Sequence, residues 1–428
     1  MSSKNKFMIV PIFLLLFFIG CEDKSDLTEP STPNTGTADF TKFVSIGNSL
    51  TAGYQSSALF ESGQKYSFGK LIANQVIVDY EQPTISDPGI GGRIEVSSLN
   101  PFTTSTQPED AGSPTNLAYS GTYNNLGIPG IVLADVLSTS ANPSPFVGNN
   151  PFLDLILRGN GTVISQALAL QPTFLTLWIG NNDILGYATS GGLLPYTPTE
   201  GPVTFGDLYI QLLGAISLAG VQNVVIANIP DVSVIPFFTT IGGQLLLQGI
   251  TSIVGTKSDN TIAEMDLTKN FLTLRASAEL AEGKGTPTNP LSNGVILDED
   301  EILIAKSVIA NYNSSILASA NQFGFKVVDI NAFFNDVAVN GFVGDGIQFS
   351  SIFVQGGLFS LDGVHPTSQG YAIIANKFIE VINAEYSADI PLINIATIPG
   401  SLSLGKKVKY TKNGLPIFEK GTFKSIFY

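Results

Sequence analysis

A serine on a strand-to-helix turn, a single histidine, and an aspartate three residues before that histidine are the groups in this chain best placed for covalent chemistry. The serine is Ser49, in "FVSIGNSLTAGY" (Phe43–Tyr54), where an apolar, β-prone run breaks at Gly-Asn-Ser and resumes with helix-compatible residues. Such a turn exposes a side chain at the edge of a sheet, where catalytic groups sit. The same pattern also serves as plain punctuation between two elements. The histidine is His365, in "FSLDGVHPTSQGY" (Phe359–Tyr371), and the acid is Asp362. In a turn flanked by Gly and Pro, this spacing lets the carboxylate reach the ring Nδ1–H. That fixes the tautomer whose Nε2 faces a nucleophile. Acyl transfer also needs donors for the oxyanion of its transition state. Two stretches offer them: "NLGIPG" (Asn125–Gly130), a glycine turn with accessible backbone N–H groups, and "LWIGNND" (Leu177–Asp183), a strand end carrying the amides of Asn181 and Asn182. Gly and Asn mark turns everywhere, so the weight rests on all four stretches lying at or beside the carboxyl ends of predicted strands.

Those strands alternate with helices. Phe43–Ile46, Phe174–Ile179, Val224–Ile229 and Phe325–Ile330 are strand-like, and Thr162–Leu170 and Phe205–Ala219 read as helices. Asp298 with Glu301 makes a capped start for a helix with Ile302, Ala305, Ile309, Tyr312, Ile316 and Ala320 on one face. Ser368–Ile382 is a last amphipathic helix. This alternation predicts a mostly parallel sheet between helices, with ligands at the carboxyl ends of its strands. The folded body is expected over residues 39–395, with insertions near 61–119, 187–202 and 235–290 where Gly, Pro, Ser and Thr break the pattern. Within the last of these, Ile235–Gly255 is apolar, and reads either as a buried packing segment or as a lid or acyl-chain wall. The insertion Glu61–Tyr119 suits an open cleft for a polysaccharide.

The chain has 428 residues, 44% hydrophobic and 13% charged, which is ample for a large core. A net charge of −14 argues against nucleic acid, whose phosphates demand a basic surface. With one cysteine and one histidine, an internal disulfide is excluded and a Cys/His zinc site nearly so; no metal or other cofactor is expected. The N-terminus combines Lys4 and Lys6 with the apolar run Phe7–Ile19, then Gly20 and Cys21. This is an export signal, too short for a membrane span. It resembles a bacterial lipoprotein signal, which implies cleavage after residue 20 and lipidation of Cys21. Residues 21–38, rich in Ser, Thr, Pro and acid, are expected to be a flexible tether. Location is then expected at the cell envelope, on the outer membrane, facing the periplasm or the surface. Glu22 and Asp23 resemble surface-export signals. The tail 396–428 carries Lys406, Lys407, Lys409, Lys412, Lys420 and Lys424 against Glu419, and reads as a solvated hairpin or as a contact for an anionic membrane.

In order along the chain, "IGNSLTAGY", "NLGIPG", "IGNND" and "DGVHPT" resemble the signature blocks of the SGNH (GDSL-type) hydrolase family of esterases and lipases. They span Ser49 to His365. The resemblance implies a three-layer α/β/α flavodoxin-like fold and a metal-free serine mechanism on carboxylic esters, whether lipid or acyl esters or acetylated carbohydrate. It makes Ser49 the nucleophile, His365 the general base and Asp362 its orienting acid. The oxyanion hole it implies joins the N–H of Ser49, the N–H of Gly130 and the amide of Asn182. One departure is visible: the first block reads Gly-Asn-Ser-Leu where Gly-Asp-Ser-Leu is typical, so Asn48 keeps a hydrogen-bonding group but not its charge. The alternative is a catalytically silent surface lipoprotein that uses the fold for binding. A monomer is expected.

Overall fold

The structure is a computed structural model and describes residues 33–99 and 102–400. The apolar run at the start of the body forms β1 (Phe43–Gly47), buried along its whole length. In chain order there follow α1 (Phe68–Val76), β2 (Asn125–Gly127), α2 (Val163–Ala169), β3 (Phe174–Trp178), α3 (Phe205–Leu218), β4 (Asn223–Ala227), α4 (Glu299–Phe323), β5 (Lys326–Val328) and α5 (Ser368–Tyr386). The five strands make one sheet in the order β2-β1-β3-β4-β5, and every neighbouring pair is parallel. β1 and β3 are buried on both faces, which is why they read as continuous apolar runs rather than alternating ones. Their polar residues satisfy each other: Thr176 Oγ1 donates to Ser45 Oγ across the pair at 2.7 Å.

The strand order reverses direction at β1. With right-handed crossovers, that reversal sends the helix between β1 and β2 to one face and the helices of the later crossovers to the other. On the first face α1 packs on α5, with Phe68 stacked on Phe378 at 4.8 Å and edge-on to Trp178 at 5.9 Å. On the second face α3 packs on α4, where Phe205 stacks on Tyr312 at 3.8 Å. This is the three-layer α/β/α arrangement expected of the sequence. The α4 cap is as the sequence predicts: Glu301 N–H donates to Asp298 Oδ1 at 3.0 Å and Asp298 N–H donates to Glu301 Oε2 at 2.8 Å. All the residues assigned to its apolar face, from Ile302 to Ala320, are buried.

The segments expected as loop insertions hold regular structure. Residues 61–119 contain α1, a helix of the fold itself, and a hairpin of Ile94–Leu99 with Phe102–Thr106. Residues 235–290 contain the helix Pro236–Leu247 and the hairpin Ser252–Thr256/Ile262–Asp266. Phe237, Phe238, Ile241 and Leu245 of that helix are buried, so Ile235–Gly255 is chiefly a packing segment. Residues 187–189 close a helix that starts at Asn182. The Gly, Pro and Ser content misleads because burial of apolar residues between the turns outweighs weak local propensity. The short stretch Asn125–Gly127, read as a turn, is the edge strand β2.

Two boundaries also differ from expectation. Residues 33–38 are docked on the body rather than tethering it: Thr37 N–H donates to Tyr386 O at 2.8 Å, Asn34 bridges Asp389, and Ala38 is buried. Polar turn chemistry, with Asn34 Oδ1 accepting from Gly36 N–H, does here what an apolar face does elsewhere. At the other end the packed body continues past residue 395, since Ile398 is buried and its carbonyl accepts from Gln369 Nε2 at 3.0 Å. The signal expected at residues 1–20, Cys21 and the lysines of the tail lie outside the described residues.

Gly47 ends β1 where nothing larger fits. A Cβ there would stand 2.4 Å from the carbonyl oxygen of Trp178 and 2.1 Å from Thr51 Oγ1. The expected cost of Gly47→Ala is about 1–3 kcal/mol, the usual range for overpacking. Urea unfolding of the variant beside wild type measures it.

Candidate active site

Three of the four blocks leave the carboxyl ends of adjacent strands. β1 runs into Asn48 and Ser49, β2 into Gly130, and β3 into Asn181 and Asn182. The fourth block is the loop before α5, and the fold folds it back onto β1. His365 Nε2 lies 2.8 Å from Ser49 Oγ, and His365 Nδ1 lies 3.0 Å from Asp362 Oδ2. All three residues are buried. The structure therefore brings together Ser49, His365 and Asp362 in one hydrogen-bonded line.

Asp362 is the most constrained of them. Its Oδ1 accepts from the backbone N–H of Val364 at 2.9 Å and of His365 at 2.8 Å, and its Oδ2 accepts from Ser57 N–H at 2.8 Å as well as facing the imidazole. Burial pushes its acidity toward higher pH. The charge of His365 and these hydrogen bonds outweigh burial and hold the carboxyl below the usual range. It stays ionised at neutral pH, and the stability it contributes is lost only as pH falls through that lowered value.

Ser57 is a residue that sequence reasoning missed. Ser56 and Ser57 sit at φ 52° and 60°, the left-handed region that side chains rarely adopt. That backbone aims Ser57 N–H at Asp362, while Ser56 N–H donates to Ser360 Oγ at 2.8 Å. A Ser-Ser pair is ordinary loop composition, so no sequence signal marked it. Tyr54 was also missed; its ring lies 4.9 Å from the imidazole, and its carbonyl accepts from Tyr371 OH at 2.6 Å.

Asn48 is the N-cap of the short helix Ser49–Ala52, its Oδ1 accepting from Leu50 N–H at 3.0 Å. Its Nδ2 donates to Asn181 Oδ1 at 3.1 Å. An aspartate could cap equally well but has no N–H to give. The departure from Gly-Asp-Ser-Leu thus adds a direct link between the first block and the third.

The three donors assigned to an oxyanion hole differ in what they already bind. Among the described residues, no backbone hydrogen bond uses the N–H of Ser49 or of Gly130, although both residues are buried. A buried donor without a partner is costly and rare. Gly130 holds φ at +81°, a conformation glycine adopts without strain. Asn182 Nδ2 donates to Ile131 O at 2.8 Å, which leaves its second N–H. Asn182, Asn181, Ser49 and His365 line a common cavity of about 50 Å³, with Asn48 and Asp231 beside them and Leu185, Ile229, Val232, Ile235, Phe334 and Phe359 among its apolar walls. Beside it runs a wider groove of about 610 Å³ that shares Asp231, where Asn228, Lys306 and Asn331 stand among apolar residues such as Ile309 and Leu317. Among the described residues, no group of His, Cys, Asp or Glu is arranged to hold a metal ion.

Residues 43–378 match the family model described as GDSL-like Lipase/Acylhydrolase. No curated protein matches the chain. Among solved structures it is similar to LAE5, an alpha/beta hydrolase enzyme from the metagenome of Lake Arreo, Spain, at 11% identity and a TM-score of 0.38 over 81% of this chain and 96% of that one. It is also similar to Axe2, an acetylxylan esterase from Geobacillus stearothermophilus, at 13% identity and a TM-score of 0.36 over 82% and 98%. A third is a family 3 carbohydrate esterase from Clostridium thermocellum, at 14% identity and a TM-score of 0.33 over 80% and 98%. Likenesses this distant leave the family match to carry the assignment.

One more carboxylate lies below the donors. Burial pushes Asp183 up from 3.8 to about 6, against the hydrogen bonds it accepts from Thr197 and Leu133. The folded chain therefore binds this proton more tightly than the unfolded chain does. Ionising Asp183 costs stability as pH rises from about 4 to about 6, on the order of 3 kcal/mol in total. Urea unfolding across pH 4–7 is expected to show Asp183→Asn gaining on wild type by about that amount as pH rises. A constant difference between the two across the range would refute the assigned shift.

Proposed function

Since the chain belongs to the GDSL-like lipase/acylhydrolase family and is thereby a carboxylic ester hydrolase, we propose that it acts as a serine esterase through an acyl-enzyme on Ser49. The observation that carries this reading is the line from Ser49 Oγ to His365 Nε2 at 2.8 Å and from His365 Nδ1 to Asp362 at 3.0 Å. Ser49 Oγ attacks the ester carbonyl while Nε2 takes its proton. Asp362 keeps the imidazole in the tautomer that can do so and stabilises the imidazolium that forms. The oxyanion accepts from Ser49 N–H, Gly130 N–H and the second N–H of Asn182. His365 returns the proton to the leaving alcohol as the C–O bond breaks. Water, deprotonated by the same imidazole, then releases the acid and restores Ser49.

The space at the nucleophile supports a short acyl group. About 50 Å³ of mostly apolar cavity suits an acetyl-sized group better than a long chain. The polar side chains of the adjoining groove, Asn228, Asp231, Lys306 and Asn331, support a hydroxyl-bearing alcohol portion, and so an acetylated carbohydrate over a long-chain lipid. With nitrophenyl acetate, butyrate and laurate, the expected order of kcat/KM is acetate first and laurate last. Ser49→Ala is expected to lower kcat on acetate at least about a thousandfold. Equal rates in variant and wild type would support a binding role instead.

We also infer that the enzyme is anchored to the cell envelope through lipid on Cys21, on the outer membrane. The support is the charged and apolar run that precedes the chain's only cysteine. Cys21→Ala is expected to move the protein from the membrane fraction to the soluble one; an unchanged distribution would refute the anchor.

A further inference from the structure

Asp183 is a buried carboxylate that the mechanism does not use, only 2% exposed. It stands in the first turn of the helix Asn182–Thr189, next to the residue assigned as an oxyanion donor. Its Oδ2 accepts from Leu133 N–H at 2.9 Å and its Oδ1 from Thr197 Oγ1 at 2.6 Å. Leu133 closes the segment that carries Gly130. The rest of that segment is pinned on its carbonyls: Pro129 O accepts from Asn150 Nδ2 at 2.7 Å, and Ile131 O from Asn182 Nδ2 at 2.8 Å.

We propose that Asp183 is a positioning residue for the oxyanion hole, whose carboxylate clamps the Gly130 segment to the helix that begins with Asn182. One anion then sets the distance between two of the three donors. The inference rests on the serine-esterase reading.

A neutral residue would be the cheaper occupant of this site. The titratable groups facing Asp183 are Asp135, on the helix Leu133–Ser138, and Tyr312 on α4, whose hydroxyl donates to the carbonyls of Thr197 and Asp183. Neither compensates its charge, and among the described residues no basic side chain does. What a carboxylate offers is two acceptor oxygens for two donors on opposite sides. An amide can imitate this by holding Leu133 N–H on its oxygen and turning its NH₂ to Thr197 Oγ1, a hydroxyl that also accepts; an apolar side chain can do neither. Placement beside a helix N-terminus favours the anion and helps hold it there. The geometry of donors aimed at a developing charge tolerates little error, and losing one whole donor costs about 10²–10³ in kcat.

The test is steady-state hydrolysis of nitrophenyl acetate at pH 8 by the full chain, with thermal unfolding alongside. Asp183→Leu, which keeps the bulk but neither acceptor, is expected to lower kcat by about ten- to a hundredfold and leave KM within about twofold. Leu133→Pro reads the same contact from the other side if the first variant does not fold. It removes the donated N–H at the first position of its helix, where proline is tolerated, and the preceding Val132 is already extended at φ −99° and ψ 171°. It is expected to lower kcat with the same unchanged KM. Wild-type kcat in either folded variant would overturn the clamp, as would a kcat that falls only in proportion to the folded fraction. A wild type that hydrolyses no ester would overturn the serine-esterase reading and the clamp with it.

Discussion

The site is organised around a carboxylate with no water to turn to. Asp362 is fully buried, and a buried charge is tolerated only when its oxygens are completely hydrogen-bonded. Its four donors come from two distant parts of the chain: Ser57 N–H from the loop after β1, and Val364 N–H, His365 N–H and the His365 ring from the loop before α5. Satisfying that one anion therefore docks the last loop on the first. The same docking brings the imidazole to 2.8 Å from Ser49 Oγ. Orientation of the imidazole and closure of the fold are one event, and the left-handed serines before Ala58 are the local strain it requires.

The sheet supplies the second constraint. Its order reverses at β1, so the ends of β2, β1 and β3 open into one crevice instead of being roofed by a crossover helix. Ser49, Gly130 and Asn182 each follow one of those three strands. Their side chains and backbone reach one another through short tethers: Asn48 to Asn181, and Asn182 to Ile131. Loops positioned by a rigid sheet and tied to each other hold donors still without filling the space they face. The pairing of Asn48 with Asn181 also gives the unusual second residue of the first block a role: an amide can cap Leu50 and donate in the same moment.

Two buried aspartates at this site behave in opposite ways for physical reasons visible side by side. Asp362 has a cationisable partner and several N–H donors, and its acidity is strengthened. Asp183 has two neutral donors and no cation, and burial wins. The first stabilises the folded chain over most of the pH range, and the second costs stability once ionised. A fold that keeps such a group trades some stability for a fixed arrangement of polar atoms, a pattern that recurs where geometry matters more than margin.

The alternation of apolar strands with periodic helices was legible in the sequence because β1, β3 and the face of α4 are continuous or periodic patterns that burial enforces. The four short blocks were legible because each pairs a turn residue with a chemical group. Composition misplaced the structured parts of residues 61–119 and 235–290, since α1 and the helix Pro236–Leu247 owe their stability to tertiary packing and not to propensity. It also missed β2, whose length of 3 residues is too short to show a period. Distances were not legible at all. That His365 meets Ser49 across 316 positions of chain follows from the topology of the sheet and the burial of Asp362. So do the aim of Ser57 N–H and the grip of Asp183 on Leu133, because backbone donors carry no mark in a sequence until the fold decides what they face.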